Sequence, residues 1–419
     1  MDRALVVHVD IDGHAHTAGR LWTHVRKNKE SATFEYDKAW LSNPLRFALE
    51  PALTLGPGPF HTTSAQALFG AIGDSAPDRW GRTLMRRAER QRAARAGETP
   101  RTLWEANFLL SVDDETRLGA LRFAETIGGP FLAESDARRI PPLIDLPSLL
   151  AASKNFLAGA DSEDDLRLLL APGSSLGGAR PKASIRDHDG GLALAKFPKA
   201  GDETRTVLWE AVALTLAAQA GIQVPQWRIE AVAGQQVLVL RRFDRADTRR
   251  VPFLSAMSML GAKDNESRTY LEIADALRQH GAAPKADLRA LWRRIVFNVL
   301  ISNTDDHLRN HAFLYAGTEG WRLSPAYDMN PVPTDVKPRA LSTAIDEIDN
   351  DASLARAIAV AQRFGLNLPD ARTIAGEVGR AVAGWSTAAG KLGLESSEIN
   401  RMASAFEHDD LKLAQHLNG

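Results

Sequence analysis

The order in which hydrophobic periods change along the chain constrains its fold more than any single motif does. From about residue 148, a loop with Gly173, Gly177 and Gly178 leads into an alternating segment, Ala183 to Arg186. The turn Asp187-His-Asp-Gly-Gly191 follows, and Leu192 to Phe197 alternates again, so the pattern predicts a hairpin entered through a glycine loop. Apolar residues then shift to helical spacing over roughly 204–220, through Leu208, Val212 and Leu216, with Thr215 and Gln219 on the same stripe and Gly221 as the stop. Two more strands are predicted at Trp227 to Val232 and Gln236 to Leu240, joined by Ala233-Gly234, before Arg241-Arg-Phe-Asp-Arg245 leads out. Beyond residue 253 the spacing is helical almost throughout. It is interrupted by Asn303 to Asn310 and by a hairpin, His311 to Tyr315 with Trp321 to Leu323, turned by Gly317 and Gly320. A β-rich segment, a short hinge and a helical segment predict an α+β, bilobed fold.

The first ~125 residues read as a separate small α/β unit. Strands are expected near Leu5 to Ile11 and Ala32 to Tyr36, then a Gly/Pro-rich loop at Leu55 to Phe60, helices, and an edge strand in Leu118 to Phe123. Proline, glycine and acidic residues mark 126–147 as a linker. The expected divisions are therefore 1–125, 126–147, 148–245 and 246–419. The chain has 419 residues, too many for one simple core. Its net charge of −1 gives no global attraction to nucleic acid or to an anionic membrane. With no cysteine it has no disulfide, thiolate zinc site or cysteine nucleophile, and it suits a reducing compartment. The first ten residues alternate like a strand, unlike a signal peptide, and no apolar run approaches the roughly 20 residues of a membrane span. The expectation is a soluble, cytoplasmic protein.

Chemistry concentrates in Asn303-Thr-Asp-Asp-His-Leu-Arg-Asn310 and Ser324-Pro-Ala-Tyr-Asp328. An Asp and an Asn five residues apart after an apolar helix, then an Asp beyond a hairpin, is the spacing kinases use at the phosphate. In that arrangement Asp305 would accept the proton of a substrate hydroxyl, and Asn310 and Asp328 would hold the Mg²⁺ that bridges the nucleotide phosphates. The neighbouring Asp306 would exchange roles with Asp305 on a one-residue shift of register. Lys196, ending a strand, is placed to reach the α/β-phosphates, with Glu210 on the next helix as its partner. The loop from Gly173 to Lys182 offers backbone N–H groups to phosphates and, in Lys182, a second cation, but it lacks the P-loop order of Gly, Lys and Ser/Thr. His307 and His311 stand four apart, as on one helix face. Carboxylates suit Mg²⁺ better than a histidine pair does, so His307 is expected to be an orienting, hydrogen-bonded residue and not a zinc ligand. Arginines crowd residues 82–101, among them Arg86, Arg87, Arg90, Arg92 and Arg95, which is either a solvated helix face or a docking face for an acidic partner or DNA.

These motifs, in this order, resemble the HipA family, serine/threonine kinases that act as toxins of bacterial type II toxin–antitoxin systems. The resemblance runs through Gly73-Asp-Ser-Ala-Pro-Asp-Arg-Trp-Gly-Arg82, Ser175-Leu-Gly-Gly-Ala-Arg-Pro-Lys182, Ala195-Lys-Phe-Pro198, Arg242-Phe-Asp-Arg245, Asn303 to Asn310 and Ala326-Tyr-Asp328. It implies a protein-kinase-like bilobed fold with an added N-terminal subdomain, and ATP and Mg²⁺ as cofactors. Asp305 would be the base, Asn310 and Asp328 the Mg²⁺ ligands, and Lys196 a phosphate ligand. Ser175, Gly177, Gly178, Lys182 and His307 would lie at the nucleotide, the backbone of Arg241 to Phe243 at adenine, and Asp244 at the ribose. It further implies inhibitory autophosphorylation of Ser175, or of the adjacent Ser174, which adds nearly two negative charges beside the ATP phosphates. The expected protein substrate is an aminoacyl-tRNA synthetase or another translation protein. The expected partner is a HipB-like helix-turn-helix antitoxin, through which operator DNA is met indirectly. Arg241 stands where relatives often carry glutamate, and Arg180-Pro181 where they carry Gln-Glu or Gln-Pro. Two other uses of the same site are small-molecule phosphorylation and a non-catalytic corepressor role on DNA.

Overall fold

The computed structural model describes residues 2–63, 66–133, 140–170, 178–199, 201–247, 249–264 and 266–417. It divides into two compact units, one of Met1–Gly201 with Glu230–Leu254 and one of Asp202–Ile229 with Ser255–Gly419.

The first unit opens with an antiparallel sheet of β1 (Arg3–Ile11), β2 (His14–Arg26), β3 (Lys29–Tyr36), β4 (Pro59–His61) and β5 (Leu121–Ala124), in the order β4-β3-β2-β1-β5. The edge strand expected before Phe123 is β5, which pairs Val6 with Ala124. Sequence patterning missed β2 because its polar residues outnumber its buried ones, Ala18, Leu21 and Thr23 among the latter. Gly19 in that strand has a packing reason: a Cβ there would sit 2.3 Å from the Glu35 carbonyl oxygen and 2.6 Å from the Phe34 ring.

Between β3 and β5 the chain forms α1 (Lys38–Leu41), α2 (Gly70–Asp74), α3 (Arg79–Ala96) and α4 (Glu105–Leu110). Helix α3 starts where the Asp78 carboxylate accepts the Gly81 N–H at 2.9 Å, and it stops at Gly97 in the left-handed conformation, φ 66°. Two further helices unassigned from sequence, α5 (Leu146–Ala158) and α6 (Glu163–Leu170), cover a second antiparallel sheet. Its strands are β6 (Lys182–Arg186), β7 (Leu192–Lys196), β8 (Trp227–Val232) and β9 (Gln235–Arg241), in the order β6-β7-β9-β8. Trp80 and Leu84 of α3 share one core with Leu149, Leu166 and Leu169 and with Ala183, Ile185, Ala195 and Val239 of the sheet. The amino-terminal residues and the later sheet are thus one packed body. Short strands β10 (Arg245–Ala246), β11 (Arg249–Arg250) and β12 (Phe253–Ser255) lead out of it.

The second unit is mostly helical: α7 (Thr206–Gln219), α8 (Ala256–Met259), α9 (Tyr270–His280), α10 (Pro284–Leu300), α11 (Leu354–Ala359), α12 (Leu368–Ala383), α13 (Trp385–Lys391), α14 (Ser396–Phe406) and α15 (Asp409–His416). Helix α7 is not the one-sided helix its spacing predicts, since Val207 through Leu214 are all buried, with Leu216 and Ala217. A helix enclosed by neighbours buries its whole circumference; Trp209 here lies 6.4 Å from Trp385 and 6.2 Å from Phe406. The parallel pair β13 (Arg268–Thr269) and β16 (Thr343–Ala344) and the hairpin β14 (Ala312–Tyr315) and β15 (Trp321–Leu323) complete the unit. No described helix is long and apolar enough to cross a membrane.

Candidate active site

Helix α10 buries Leu291, Trp292, Ile295, Val296, Phe297, Val299 and Leu300, which fixes the start of the loop that follows it. Ser302, at φ 51°, turns the chain, and the Asn303 N–H returns to the Asn298 carbonyl at 2.9 Å. The two adjacent aspartates then part. Asp305 is exposed, and its backbone carbonyl accepts from the His307 N–H at 2.9 Å and from Asn310 Nδ2 at 3.1 Å. Asp306 is buried, and its Oδ2 accepts from Asn298 Nδ2 at 2.7 Å, from His311 Nε2 at 2.7 Å and from the Tyr270 hydroxyl. Burial alone would raise the Asp306 pKa. The His311 imidazole and the hydrogen bonds from His311 and Tyr270 outweigh it and hold the carboxyl below its ordinary range. Burial, and then the Asp306 charge, push the Tyr270 phenol well above its ordinary value.

The segment carrying Asp328 is tied to this loop at several points. The Tyr327 hydroxyl donates to the Arg309 carbonyl at 2.6 Å, placing the residue before Asp328 beside the residue before Asn310. The Asn330 N–H donates to Asn303 Oδ1 at 3.2 Å, and Asn303 Nδ2 donates in turn to Asn298 Oδ1 at 3.1 Å. A buried polar chain therefore runs from Asp306 through Asn298 and Asn303 to Asn330, two residues beyond Asp328. The buried guanidinium of Arg294, whose pKa burial lowers to about 10, donates to the Ser324 carbonyl where this segment begins. Asp328 holds φ 58°, a region that Asp tolerates better than most residues. Tyr270, Asn298, Asn303, Arg294 and Asn330 were not singled out from sequence. Arg294 and Asn298 are polar residues inside the apolar run of α10, and that was the signal available.

In the first unit, Lys196 ends β7 opposite Lys182 of β6 and Leu238 of β9. Alternation along paired strands puts Lys196 on one sheet face with Leu194, Leu238 and Leu240, while Ala193, Ala195 and Val239 enter the core on the other. Glu210 is buried on α7 of the second unit. Lys182, the second expected phosphate cation, is itself buried and donates to Asp78 Oδ2 at 2.9 Å. Gly178 is described, with φ 89°; Ser174, Ser175 and Gly177 lie outside the described residues.

Asp244 corrects an expectation. It is fully buried and accepts from Arg242 Nε at 2.7 Å and Nη2 at 2.6 Å, from Arg245 Nη1 at 2.6 Å and from the Gly119 N–H at 2.8 Å. Burial acts to raise its pKa, but the two guanidiniums outweigh burial and hold it far below the ordinary carboxylate range. With its oxygens committed to these four donors, Asp244 is a buried anchor and not a ribose ligand. Arg242 and Arg245 also donate to the carbonyls of Thr116 and Glu115, at 2.8 and 2.9 Å. The Arg242-Phe-Asp-Arg245 motif is thus a clamp on residues 115–119. Arg241 pairs with Asp189 of the β6–β7 turn, and the Phe243 ring lies 6.4 Å from that of Phe253.

The histidine expectation also changes. His307 precedes a 3₁₀ turn, Leu308–Asn310, so it shares no helix face with His311, and its buried Nδ1 has no protein partner. His311 is the hydrogen-bonded one. Its Nε2 is committed to Asp306, which leaves the zinc-pair reading without support. Among the described residues no three His, Asp or Glu side chains gather in a metal-holding group. The arginines of α3 are largely engaged: Arg82 pairs with Glu105, Arg87 with Asp161, Arg92 with Glu89 and Glu98, and Arg95 with Glu163, while Arg86 lies over the Phe108 ring. This favours a neutralised helix face over a phosphate-docking one.

Comparison with known proteins identifies relatives and a shared fold. A Haemophilus influenzae protein, a kinase by name only, is 32% identical over 132 residues, 27% of this chain and 38% of the relative. The chain therefore spans well under two thirds of that relative's length. The Sinorhizobium fredii protein Y4mE, likewise a kinase by name only, is 26% identical over 330 residues, 71% of each chain. The solved structure of HipA from Shewanella oneidensis MR-1, determined with HipB and its operator DNA, matches with a TM-score of 0.66 at 16% identity. That match covers 98% of this chain and 96% of the other, and establishes a shared fold. The family model of the HipA-like C-terminal domain matches residues 174–385, just over half of the 419. On that ground the chain belongs to the HipA family.

Proposed function

We propose that this chain is an ATP- and Mg²⁺-dependent protein serine/threonine kinase, the toxin of a type II toxin–antitoxin pair. The observation that carries this reading is the division of labour between Asp305 and Asp306. One carboxylate is exposed on a loop, while the other is buried in the polar chain that ties that loop to the segment of Asp328. Phosphoryl transfer asks a protein mainly for positioning and charge neutralisation. Asp305 accepts the proton of the attacking hydroxyl. Asn310 and Asp328 supply hard oxygen donors, one amide and one carboxylate, and so small a protein set suits Mg²⁺, which keeps waters and phosphate oxygens as its other ligands. Bound there, Mg²⁺ would neutralise charge on the ATP phosphates. Lys196 serves the α/β-phosphates, His307 lies at the nucleotide, and the backbone of Arg241 to Phe243 serves adenine. In this reading the two units are the lobes of a protein-kinase-like bilobed fold.

The Shewanella relative, solved with HipB and operator DNA, supports a helix-turn-helix antitoxin as the partner, with DNA met through it. The target is a host protein of translation such as an aminoacyl-tRNA synthetase, the compartment is the cytoplasm, and Ser175 or Ser174 is the site of inhibitory autophosphorylation. The test is the intact mass of the protein after incubation with ATP and Mg²⁺, beside Asp305→Ala. Wild type should gain one phosphate, mapped to Ser175 or Ser174, and the variant none. Equal phosphate gain by Asp305→Ala would remove Asp305 as the base.

A further inference from the structure

The segment that follows Asp328 folds back against the loop that carries Asp305 and takes three alternate carbonyls of that loop. The Val332 N–H donates to Ser302 at 3.2 Å, the Ser342 N–H and hydroxyl to Thr304 at 3.1 and 2.9 Å, and the Thr343 hydroxyl to Asp306 at 2.7 Å. Arg339 adds a second anchor, donating to Ser302 Oγ at 3.1 Å, to the Val299 carbonyl at 2.9 Å and to Asp410 Oδ2 at 2.8 Å.

Lys337 lies within this anchored segment, and its half-buried side chain returns to the peptide just before the proposed base: Nζ is 3.2 Å from the Thr304 carbonyl oxygen. That contact is not what holds the loop. A carbonyl oxygen has two lone pairs, and Ser342 already supplies this one with two donors. The ammonium is a surplus donor with one of its three N–H groups engaged. Among the described residues, neither Lys337 nor the exposed carboxylate of Asp305 is in an ion pair. A cation and an anion thus meet at the peptide group between Thr304 and Asp305 without neutralising each other.

That pairing suits phosphoryl transfer, in which charge is spread over the oxygens of the group in flight and catalysis is mainly positioning and neutralisation. We propose that Lys337 is a further catalytic residue, donating an N–H to an oxygen of the transferred phosphoryl group while Asp305 takes the hydroxyl proton. The acceptor oxygen forms its bond to the γ-phosphorus, the bond from that phosphorus to the β–γ bridging oxygen breaks, and its electron pair leaves with ADP. The proton passes to Asp305, and Lys337 stays protonated throughout. This inference rests on the kinase reading of the site.

The chain has no cysteine, so Lys337→Cys introduces its sole thiol. Alkylation with 2-bromoethylamine restores an ammonium there, with sulfur in place of one methylene, while iodoacetamide leaves a neutral side chain. Both products and wild type are compared as full chains by intact-mass time courses with Mg·ATP and by thermal denaturation. Binding of Mg·ADP is measured with and without fluoroaluminate, a mimic of the phosphoryl group in flight. Both products should unfold within about 2 °C of wild type, because Ser342 and Arg339 hold the segment. The neutral product should transfer phosphate about 100-fold more slowly than wild type and lose the extra affinity that fluoroaluminate confers, while binding Mg·ADP normally. The aminoethylated product should recover most of both. Equal behaviour of the two products, whether both active or both inactive, would overturn the proposal. So would a collapse of the unfolding midpoint in both, which would make Lys337 a structural tie. If wild type gains no phosphate, the fluoroaluminate comparison decides; if it also binds no Mg·ADP, the kinase reading fails and this inference falls with it.

Discussion

Asp305 and Asp306 are adjacent in sequence and opposite in surroundings, and their substitutions should separate accordingly. Asp306→Ala leaves the Tyr270 hydroxyl, Asn298 Nδ2 and His311 Nε2 without their shared acceptor in a buried site. Stranding buried partners of this kind costs about 3–5 kcal/mol, so equilibrium unfolding should show a large loss of stability. Asp305→Ala removes an exposed carboxylate and should stay within about 0.5 kcal/mol of wild type while losing phosphoryl transfer. Similar stabilities for the two variants would contradict the roles drawn from burial. Motif spacing pointed to Asp305, five residues before Asn310, but it left the neighbouring aspartate as a rival. What separates them is a tyrosine 36 positions earlier, an interaction that no local spacing encodes. Asp244 shows the converse: its motif was legible, but its surroundings were not, because its partner Gly119, and the Thr116 and Arg117 carbonyls that hold Arg242 and Arg245, lie far upstream on the chain.

At the scale of elements, the end of α10 and the start of α15 are joined by one imidazole. His408 caps α15, with Nδ1 accepting the Leu411 N–H at 3.4 Å and Nε2 3.2 Å from the Leu300 carbonyl. This pair of bonds fixes a neutral tautomer, protonated on Nε2 and accepting on Nδ1. Burial, helped by the nearby Arg339 charge, lowers its pKa from 6.5 to about 4. The folded state therefore binds fewer protons than the unfolded state between those values. The contribution of His408 is complete above pH 6.5 and is lost as pH falls toward 4, by about 3 kcal/mol in all. His408→Asn, which retains a capping side chain, should flatten that part of the stability-against-pH curve. An unchanged acid limb would assign it to other groups.

Elements themselves were unevenly legible. The hairpins β6–β7 and β14–β15 followed from alternation and glycine turns, and the edge strand β5 was visible in Leu118 to Phe123. Strand β2 was not, because its register on β1 and β3 holds it in place where its own hydrophobicity would not. Helices α5 and α6 were hidden by their position between a linker-like stretch and a glycine loop, although Leu146, Leu149, Leu150, Leu166 and Leu169 carry a buried face.

For the whole molecule, the clamp of Arg242 and Arg245 on residues 115–119 and the shared core of α3 with β6, β7 and β9 make the amino-terminal residues structural members of the later sheet. A chain beginning at residue 148 would strip Trp80, Leu84 and Leu146 from the core that holds Ala183, Ile185, Ala195 and Val239, and would leave the carboxylate of Asp244 and two guanidiniums without their amide and carbonyl partners in residues 115–119. Such a truncation should fail to give a cooperative unfolding transition, as circular dichroism would show. A sharp transition at the wild-type midpoint would refute the interdependence.

The two units also interleave along the chain: the first closes with Glu230–Leu254, and Asp202–Ile229 of the second must wait for residues beyond Ser255. During synthesis, the strands made first therefore lack their clamp until Arg245 has left the ribosome. At about 5–20 residues per second, that leaves several seconds or more after β5 emerges. Asp305 and Asp328 come later still. A fragment released before Leu254 thus has neither a finished first unit nor the loop residues of the second. A chain ending before Asp328 lacks one of the two residues proposed to hold the metal.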